Sequence, residues 1–464
     1  MNGKNLVVAL TDVAPADLNP YKSNTLHIHQ VMWSIYEPLF DVSFDRKEKK
    51  IVWHPCLADR WSSSPDSLTW DFHIREGASF SDGTRFDASS VLQNLERVQR
   101  QAPTSFRERI LHDLIANVQL ADGQTVRVTL TYARPELLFL ALMTDGSESA
   151  LGTGPFRFES RSATAIVLTR NPHYRASVKL AQITFRVIAN PNDLVTEFNA
   201  QRLHLRDIDR QRLLKLENAQ KIDVQPFGLH YLGFNWGSSA FRTLEVRQAF
   251  RDMLDFKQIP KTGLQPARGP IPPDVEGYAG STAPSPLQSR AEARSILEKA
   301  CGGRILLLYN ANSHYGSQLA ERIENDLGSS LVTRVPHDNS SQLLGAIRGR
   351  GHNGNDHYVF IYNWYSILPA PEIFLRPLFA TGMRDNLTGY DDPNFNNVFT
   401  AIQHRQISSS DGYLEAQTRV INDMPAIFLG HSQVRHSAHS KRVTGVDLNV
   451  QSFPVDRYAG VDVI

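Results

Sequence analysis

Short apolar runs of strand length alternate with segments whose apolar residues recur at helical spacing, and the alternation runs the length of the chain. Gly303-Arg304 leads into Ile305-Leu306-Leu307-Leu308-Tyr309, a continuous apolar run that reads as a buried strand. Helical spacing over 318–327 and again over 340–347 follows, and then the strand Tyr358-Val359-Phe360-Ile361-Tyr362. A strand–helix–helix–strand unit must cover both faces of its sheet, which points to α/β lobes with mixed sheets.

The same grammar holds upstream. Residues 6–10 form a short apolar run, and 12–20 then break it with Pro15 and Pro20. Ile28, Val31, Met32 and Ile35 predict a helix over 27–40 that ends at Pro38. Residues 68–74 alternate as a half-buried strand should, and Ser81-Asp82-Gly83-Thr84 is a turn. Asp87 is placed to cap a helix through Val91, Leu92, Leu95 and Val98. Further strands are expected at 126–130, 165–168, 183–187 and 231–235, and further helices at 245–254 and 290–300. The Pro- and Gly-rich stretch 265–289 reads as a long surface loop. At 464 residues the chain exceeds what one hydrophobic core organises, so two or three lobes are expected.

Charge is balanced, with 49 basic and 48 acidic residues, whereas nucleic-acid binders carry a basic excess. No nucleic-acid partner is expected. Hydrophobic residues at 41% and charged residues at 21% fit an ordinary globular protein. No apolar run approaches the ~20 residues that span a bilayer. The start, Met1-Asn2-Gly3-Lys4-Asn5, is polar and lacks a signal-peptide core. That leaves a cytoplasmic protein, or one whose signal was removed and a start Met added. Cys56 and Cys301 belong to no CxxC or Cys/His metal spacing, and two buried thiols or one long-range disulfide both stay open.

A search for catalytic chemistry finds little. Gly349-Arg350-Gly351-His352-Asn353-Gly354 matches GxGxxG literally, but a helix precedes it and a strand follows, the reverse of the dinucleotide fingerprint. His27, His29, His431, His436 and His439 lack the spacing of known metal sites. There is no GxSxG elbow, no SxxK and no P-loop. No enzyme class is suggested, and no cofactor or metal is expected.

Other segments do carry a pattern. In order they are Leu18-Asn19-Pro20, Ile35-Tyr36-Glu37-Pro38-Leu39, Leu57-Ala58-Asp59-Arg60-Trp61 and the run 68–87, LTWDFHIREGASFSDGTRFD. Gly152-Thr153-Gly154-Pro155-Phe156 and Asn171-Pro172-His173-Tyr174 follow. Phe234-Asn235, Val246-Arg247-Gln248-Ala249-Phe250 and Asp423-Met424-Pro425-Ala426-Ile427 complete the set. Taken together they resemble family 5 of the extracellular solute-binding proteins, which includes oligopeptide-, dipeptide- and nickel-binding proteins, over nearly the whole chain.

The resemblance implies an α/β, two-lobed periplasmic-binding-protein clamp, type II-like, in the large three-subdomain form with mixed sheets. Lobe 1 would span 1–236 with an inserted subdomain at about 40–150, lobe 2 would span 237–430, and 431–464 would return to lobe 1. Crossovers near Trp236 and near His431 would form the hinge. The implied function is a receptor that captures a small-molecule ligand and delivers it to a membrane-embedded ABC transporter permease. It would act as a monomer, periplasmic or lipid-anchored outside the cytoplasm. A ligand-sensing domain of a transcription regulator is the other reading, because similar lobes occur behind winged-helix domains.

The implied ligand-facing residues are His29, Trp236, Asn310, His314, Tyr315, Trp364, Tyr365 and Ile367. His29 also reads as a helix-surface histidine, and Trp364 as a core tryptophan. Peptide-binding relatives carry an aspartate three residues after the tryptophan, paired with the ligand's α-ammonium; here Ile367 holds that position and Ala370 replaces a second common acid. An ammonium buried without a carboxylate would cost several kcal/mol, so ordinary free-amine peptides are not expected as ligands. Tyr358, Phe360, Tyr362, Trp364 and Tyr365 leave room for an apolar or sugar-like ligand stacked on rings.

Overall fold

The computed structural model describes residues 4–10, 18–21, 26–145, 151–188, 190–208, 210–281, 285–302, 304–352, 354–366, 368–449 and 457–464. Its contacts divide the chain into unit 1 (Met1–Val224, Gln403–Gln406 and Arg435–Ile464) and unit 2 (Gln225–Ile402 and Ile407–Val434). Both chain ends belong to unit 1. The main crossings fall after Val224 and Val434, rather than at the expected Trp236 and His431. The shift has a plain cause: His431 lies in a strand hydrogen-bonded within unit 2, and Trp236 follows another.

Unit 1 is built on a seven-stranded mixed sheet. Across the sheet the strands are β12 (Ala219–Val224), β19 (Arg435–Ser440), β11 (Leu205–Ile208), β1 (Asn5–Leu10), β10 (Gln182–Val187), β9 (Ala165–Arg170) and β8 (Phe156–Arg161). β1 runs parallel to β10, with Leu6 opposite Ile183, and parallel to β11. A hairpin, β2 (Phe40–Asp45) with β3 (Lys50–Pro55), stands apart. A four-stranded antiparallel sheet is ordered β4 (Ala58–Ser63), β5 (Thr69–Ile74), β7 (Thr125–Leu130) and β6 (Ile115–Leu120). The unit's helices are α1 (Leu26–Ile35), α2 (Ala88–Arg100), α3 (Phe106–Leu114), α4 (Pro191–Asn199) and α5 (Arg210–Leu213).

Local chemistry sets these boundaries. α1 stops at Ile35, short of the expected end at Pro38, because the chain turns extended before that proline and Phe40 starts β2. Asp87 caps α2 by accepting from the Ser89 and Ser90 amides at 2.9 and 3.2 Å, and Ser90 returns a hydroxyl to the Asp87 amide. Val91, Leu95 and Val98 then form one buried face.

The short motifs of the sequence meet in one core. Glu37 is fully buried and takes two hydrogen bonds from Arg175, at 2.6 and 2.7 Å. The Cys56 thiol donates to the same carboxylate at 3.5 Å. Asn171 donates to the Gly154 carbonyl at 2.8 Å. A Cβ on Gly154 would come within 2.6 Å of the Ser34 carbonyl, so only glycine permits this approach of loop to α1.

Unit 2 centres on a six-stranded mixed sheet. In spatial order its strands are β14 (Leu264–Gln265), β18 (Ala426–Ser432), β13 (Phe227–Phe234), β17 (Tyr358–Ser366), β15 (Ile305–Asn310) and β16 (Val332–His337). The helices are α6 (Leu244–Asp252), α7 (Arg290–Cys301), α8 (His314–Leu327), α9 (Ser340–Arg350) and α10 (Pro371–Phe379), followed by two more. Leu232, Phe234, Leu307, Val359 and Ile361 pack with Phe250 of α6, Leu297 of α7 and Leu319 and Ile323 of α8 as one core. The helix 340–350 runs into the first two residues of the GxGxxG match and 358–366 after it are strand; Asn353 within it lies outside the described residues. Cys56 and Cys301 are both buried and free.

Candidate functional site

β17 extends to Ser366, past the expected end at Tyr362, and its alternation separates two aromatic neighbours. Trp364 pairs with Leu229 of β13, and Tyr365 pairs with Gly228. Successive strand side chains point to opposite faces, so these two residues serve different surroundings. Trp364 is 7% exposed and its indole N–H donates to the Ile373 carbonyl of α10 at 2.9 Å. Tyr365 shares its face with the helices of the core, at the sheet end where β13 begins and β18 stops.

At that end the sheet face changes from apolar to polar. His230 Nε2 lies 2.8 Å from the Ser432 hydroxyl and 3.1 Å from the Tyr365 hydroxyl, and the two hydroxyls are 3.0 Å apart. Tyr315, in the first turn of α8, sets its ring against His230 with centroids 4.5 Å apart and planes at 60°. Gly228 makes the arrangement possible: a Cβ there would sit 2.4 Å from the Tyr365 ring. An imidazole and two hydroxyls in mutual contact, flanked by tyrosine rings, can exchange hydrogen bonds with a polar solute and offer faces for stacking. The location is at the carboxyl ends of β15 and β17, where open α/β sheets place their ligands.

The structure therefore brings together Tyr315 and Tyr365 from the expected set, and adds His230 and Ser432. Asn310 ends β15 nearby, but its side chain holds the turn into α8, accepting from the Asn312 and Ser313 amides at 3.0 and 3.2 Å. His314 opens α8. Trp236 is not brought to this cluster. It follows the opposite end of β13, where its ring meets Tyr390 at 4.9 Å and the Arg247 guanidinium at 4.3 Å. Ile367 lies outside the described residues. His29 belongs to unit 1, on α1, where its Nε2 faces a guanidinium nitrogen of Arg107 at 3.3 Å. Among the described residues, no three His, Cys, Asp or Glu side chains gather as a metal site requires, and no helix is long and apolar enough to cross a membrane.

Beside the cluster, His431 of β18 is buried, with Nδ1 3.3 Å from the Gly228 carbonyl, and burial pushes its pKa down to about 4. The unfolded chain takes up a proton near pH 6.5 that folded His431 refuses until about pH 4. This contribution to stability is thus complete above pH 6.5 and lost as pH falls towards 4, by about 3 kcal/mol. Denaturant titrations at pH 7 and pH 4.5 should show the loss in the wild type and a smaller one in His431→Gln. Equal losses in both proteins would refute it.

A family model described as bacterial extracellular solute-binding proteins, family 5 Middle, matches residues 52–386. The chain belongs to this family. A family 5 solute-binding protein captures a solute and delivers it to an ABC importer. Among curated relatives, the glutathione-binding protein GsiB of Pectobacterium atrosepticum is 26% identical, covering 95% of this chain and 91% of its own. GsiB of Escherichia coli strain K12 is 25% identical over 92% and 89%. Among solved structures, a dipeptide binding protein from Pseudoalteromonas in complex with Met-Leu aligns with a TM-score of 0.83 at 18% identity, covering 99% of this chain and 100% of that one. NikZ from Campylobacter jejuni in complex with Ni(L-His) aligns at 0.81 and 18%, covering all of both chains. These likenesses establish the fold as that of the periplasmic binding proteins.

Proposed function

We propose that this family 5 protein is an extracytoplasmic receptor for a small solute other than an ordinary free-amine peptide. It works as a monomer beside its ABC permease, without catalysis, cofactor or nucleic acid. The fold does not choose the ligand, since relatives with the same architecture are named for glutathione, a dipeptide and Ni(L-His). The observation that carries the reading is the His230–Tyr365–Ser432 triangle, which offers hydroxyl and imidazole partners at the sheet end. In the sequence after Tyr365, Ile367 and Ala370 take the positions where the resemblance puts acids in peptide-binding relatives, and Ala370 is buried at the start of α10. An α-ammonium brought there would be desolvated without a carboxylate partner.

Calorimetric titration with a di- to pentapeptide library tests this. The wild type is expected to bind such peptides weakly or not at all, and Ile367→Asp is expected to gain affinity for amine-bearing ligands. Submicromolar binding of ordinary peptides by the unmodified protein would overturn the reading.

A further inference from the structure

Three helices of unit 1 converge on a buried cation that has no carboxylate hydrogen-bonded to it among the described residues. Arg107 is 6% exposed. It sits in the first turn of α3, just after the N-cap Ser105, where the helix dipole disfavours positive charge. One terminal nitrogen donates towards His29 Nε2 of α1 at 3.3 Å, so that nitrogen of the imidazole is the unprotonated one. The Arg107 Nε–H is buried with no partner. Burial pulls the Arg107 pKa down to about 10.

The acids of these helices are engaged elsewhere. Glu108 turns back to accept from the Thr104 amide and hydroxyl at 2.6 and 2.7 Å. Glu96 pairs with Arg100 at 2.8 Å, Asp113 accepts from His112 at 3.1 Å, and α1 contains no acid. A second guanidinium stands close by. Arg97 of α2 lies 5.9 Å from the centre of the Tyr21 ring and also has a buried terminal nitrogen without a partner. Tyr21 is held in place by Asn94 Oδ1 at 2.9 Å and the Leu142 carbonyl at 3.0 Å. Both arginines are near enough to act on the Tyr21 hydroxyl, and the Glu108 carboxylate opposes them there while its hydrogen bonds stay with the helix cap.

An unpaired buried charge is costly, and a buried donor left without a partner calls for an explanation, of which a partner arriving from outside is one. A guanidinium presents a planar fork of N–H donors, which a carboxylate fills with two parallel hydrogen bonds. We propose that Arg107, with Arg97 and His29 beside it, receives a carboxylate group of the solute. The assignment rests on the receptor reading above and names the chemical class of its ligand as a small organic acid.

The test is thermal unfolding of the full chain with millimolar sodium succinate, at constant ionic strength, in the wild type, Arg107→Met and Arg97→Met. Succinate is expected to raise the wild-type Tm by about 2–4 °C. Arg107→Met should show no response and should itself melt no lower than the unliganded wild type, because methionine removes the unpaired charge. Arg97→Met should respond less than the wild type. The site is overturned by an absent wild-type response, by equal responses in all three proteins, or by a response to inorganic phosphate but not succinate. It is overturned equally if Arg107→Met unfolds several degrees lower or does not fold, since the guanidinium would then be structural. Native mass spectrometry separates this failure from failure of the receptor reading: a neutral solute retained by both wild type and Arg107→Met would keep the receptor and remove the anion site.

Discussion

Replacing Glu37 by alanine is expected to lower folding stability by about 3–5 kcal/mol, the cost of breaking a buried ion pair from one side. The carboxylate is fully buried, and both its oxygens accept from Arg175, with the Cys56 thiol and the Tyr174 hydroxyl each at 3.5 Å. Removing it strands a guanidinium whose surroundings were organised around that charge. The prediction has a second half. Glu37→Met combined with Arg175→Met removes both charges and should recover most of the loss, because paired charges in an interior balance their own desolvation. Guanidinium denaturation monitored by far-UV circular dichroism measures both. A loss under about 1 kcal/mol in Glu37→Ala would show that the pair is dispensable.

Trp364→Ala is expected to cost about 3–5 kcal/mol of unliganded stability, as for truncation of any large core side chain. The indole is nearly inaccessible, its N–H is satisfied by the Ile373 carbonyl, and its face of β17 carries Tyr358, Phe360 and Tyr362. Truncation would open a cavity beneath α10 and leave that carbonyl without its partner. Thermal unfolding without ligand decides the matter, followed by titration of whatever solute co-purifies. Unchanged stability together with a roughly thirtyfold loss of affinity would move Trp364 out of the core and into the ligand site.

The sequence was most informative where local chemistry governs. Asp87 caps α2 because its carboxylate reaches two amides within three residues, a relation that spacing alone exposes. β17 read short because Asn363 and Ser366 interrupt the apolar run, although strand pairing with β13 carries the backbone on to residue 366. The polar end of the unit 2 sheet was harder to see. Tyr315 and Tyr365 were named through the family resemblance, whereas His230 and Ser432 are far apart in the chain and meet only through the pairing of β13 with β18. The one available signal was a histidine in the otherwise apolar run Phe227–Phe234, every residue of which is buried. Arg107 gave no signal at all. An arginine in a segment reading Phe106-Arg107-Glu108-Arg109 suggests a solvated helix face, and only the folded structure shows that its neighbour Glu108 turns away to cap the helix.

The order of strands in unit 1 also sets a timetable for biosynthesis. β12 is joined to its sheet through β19 alone, and β19 also covers the outer edge of β11. Yet β19 begins at Arg435, after nearly all of unit 2 has been made. A growing chain therefore carries β11 with a bare edge, and β12 with no strand beside it, throughout synthesis of the second unit. Bare strand edges are templates for pairing with other chains. Loss of the last thirty or so residues, by truncation or stalled translation, would leave those edges open for good and turn a receptor into an aggregation seed.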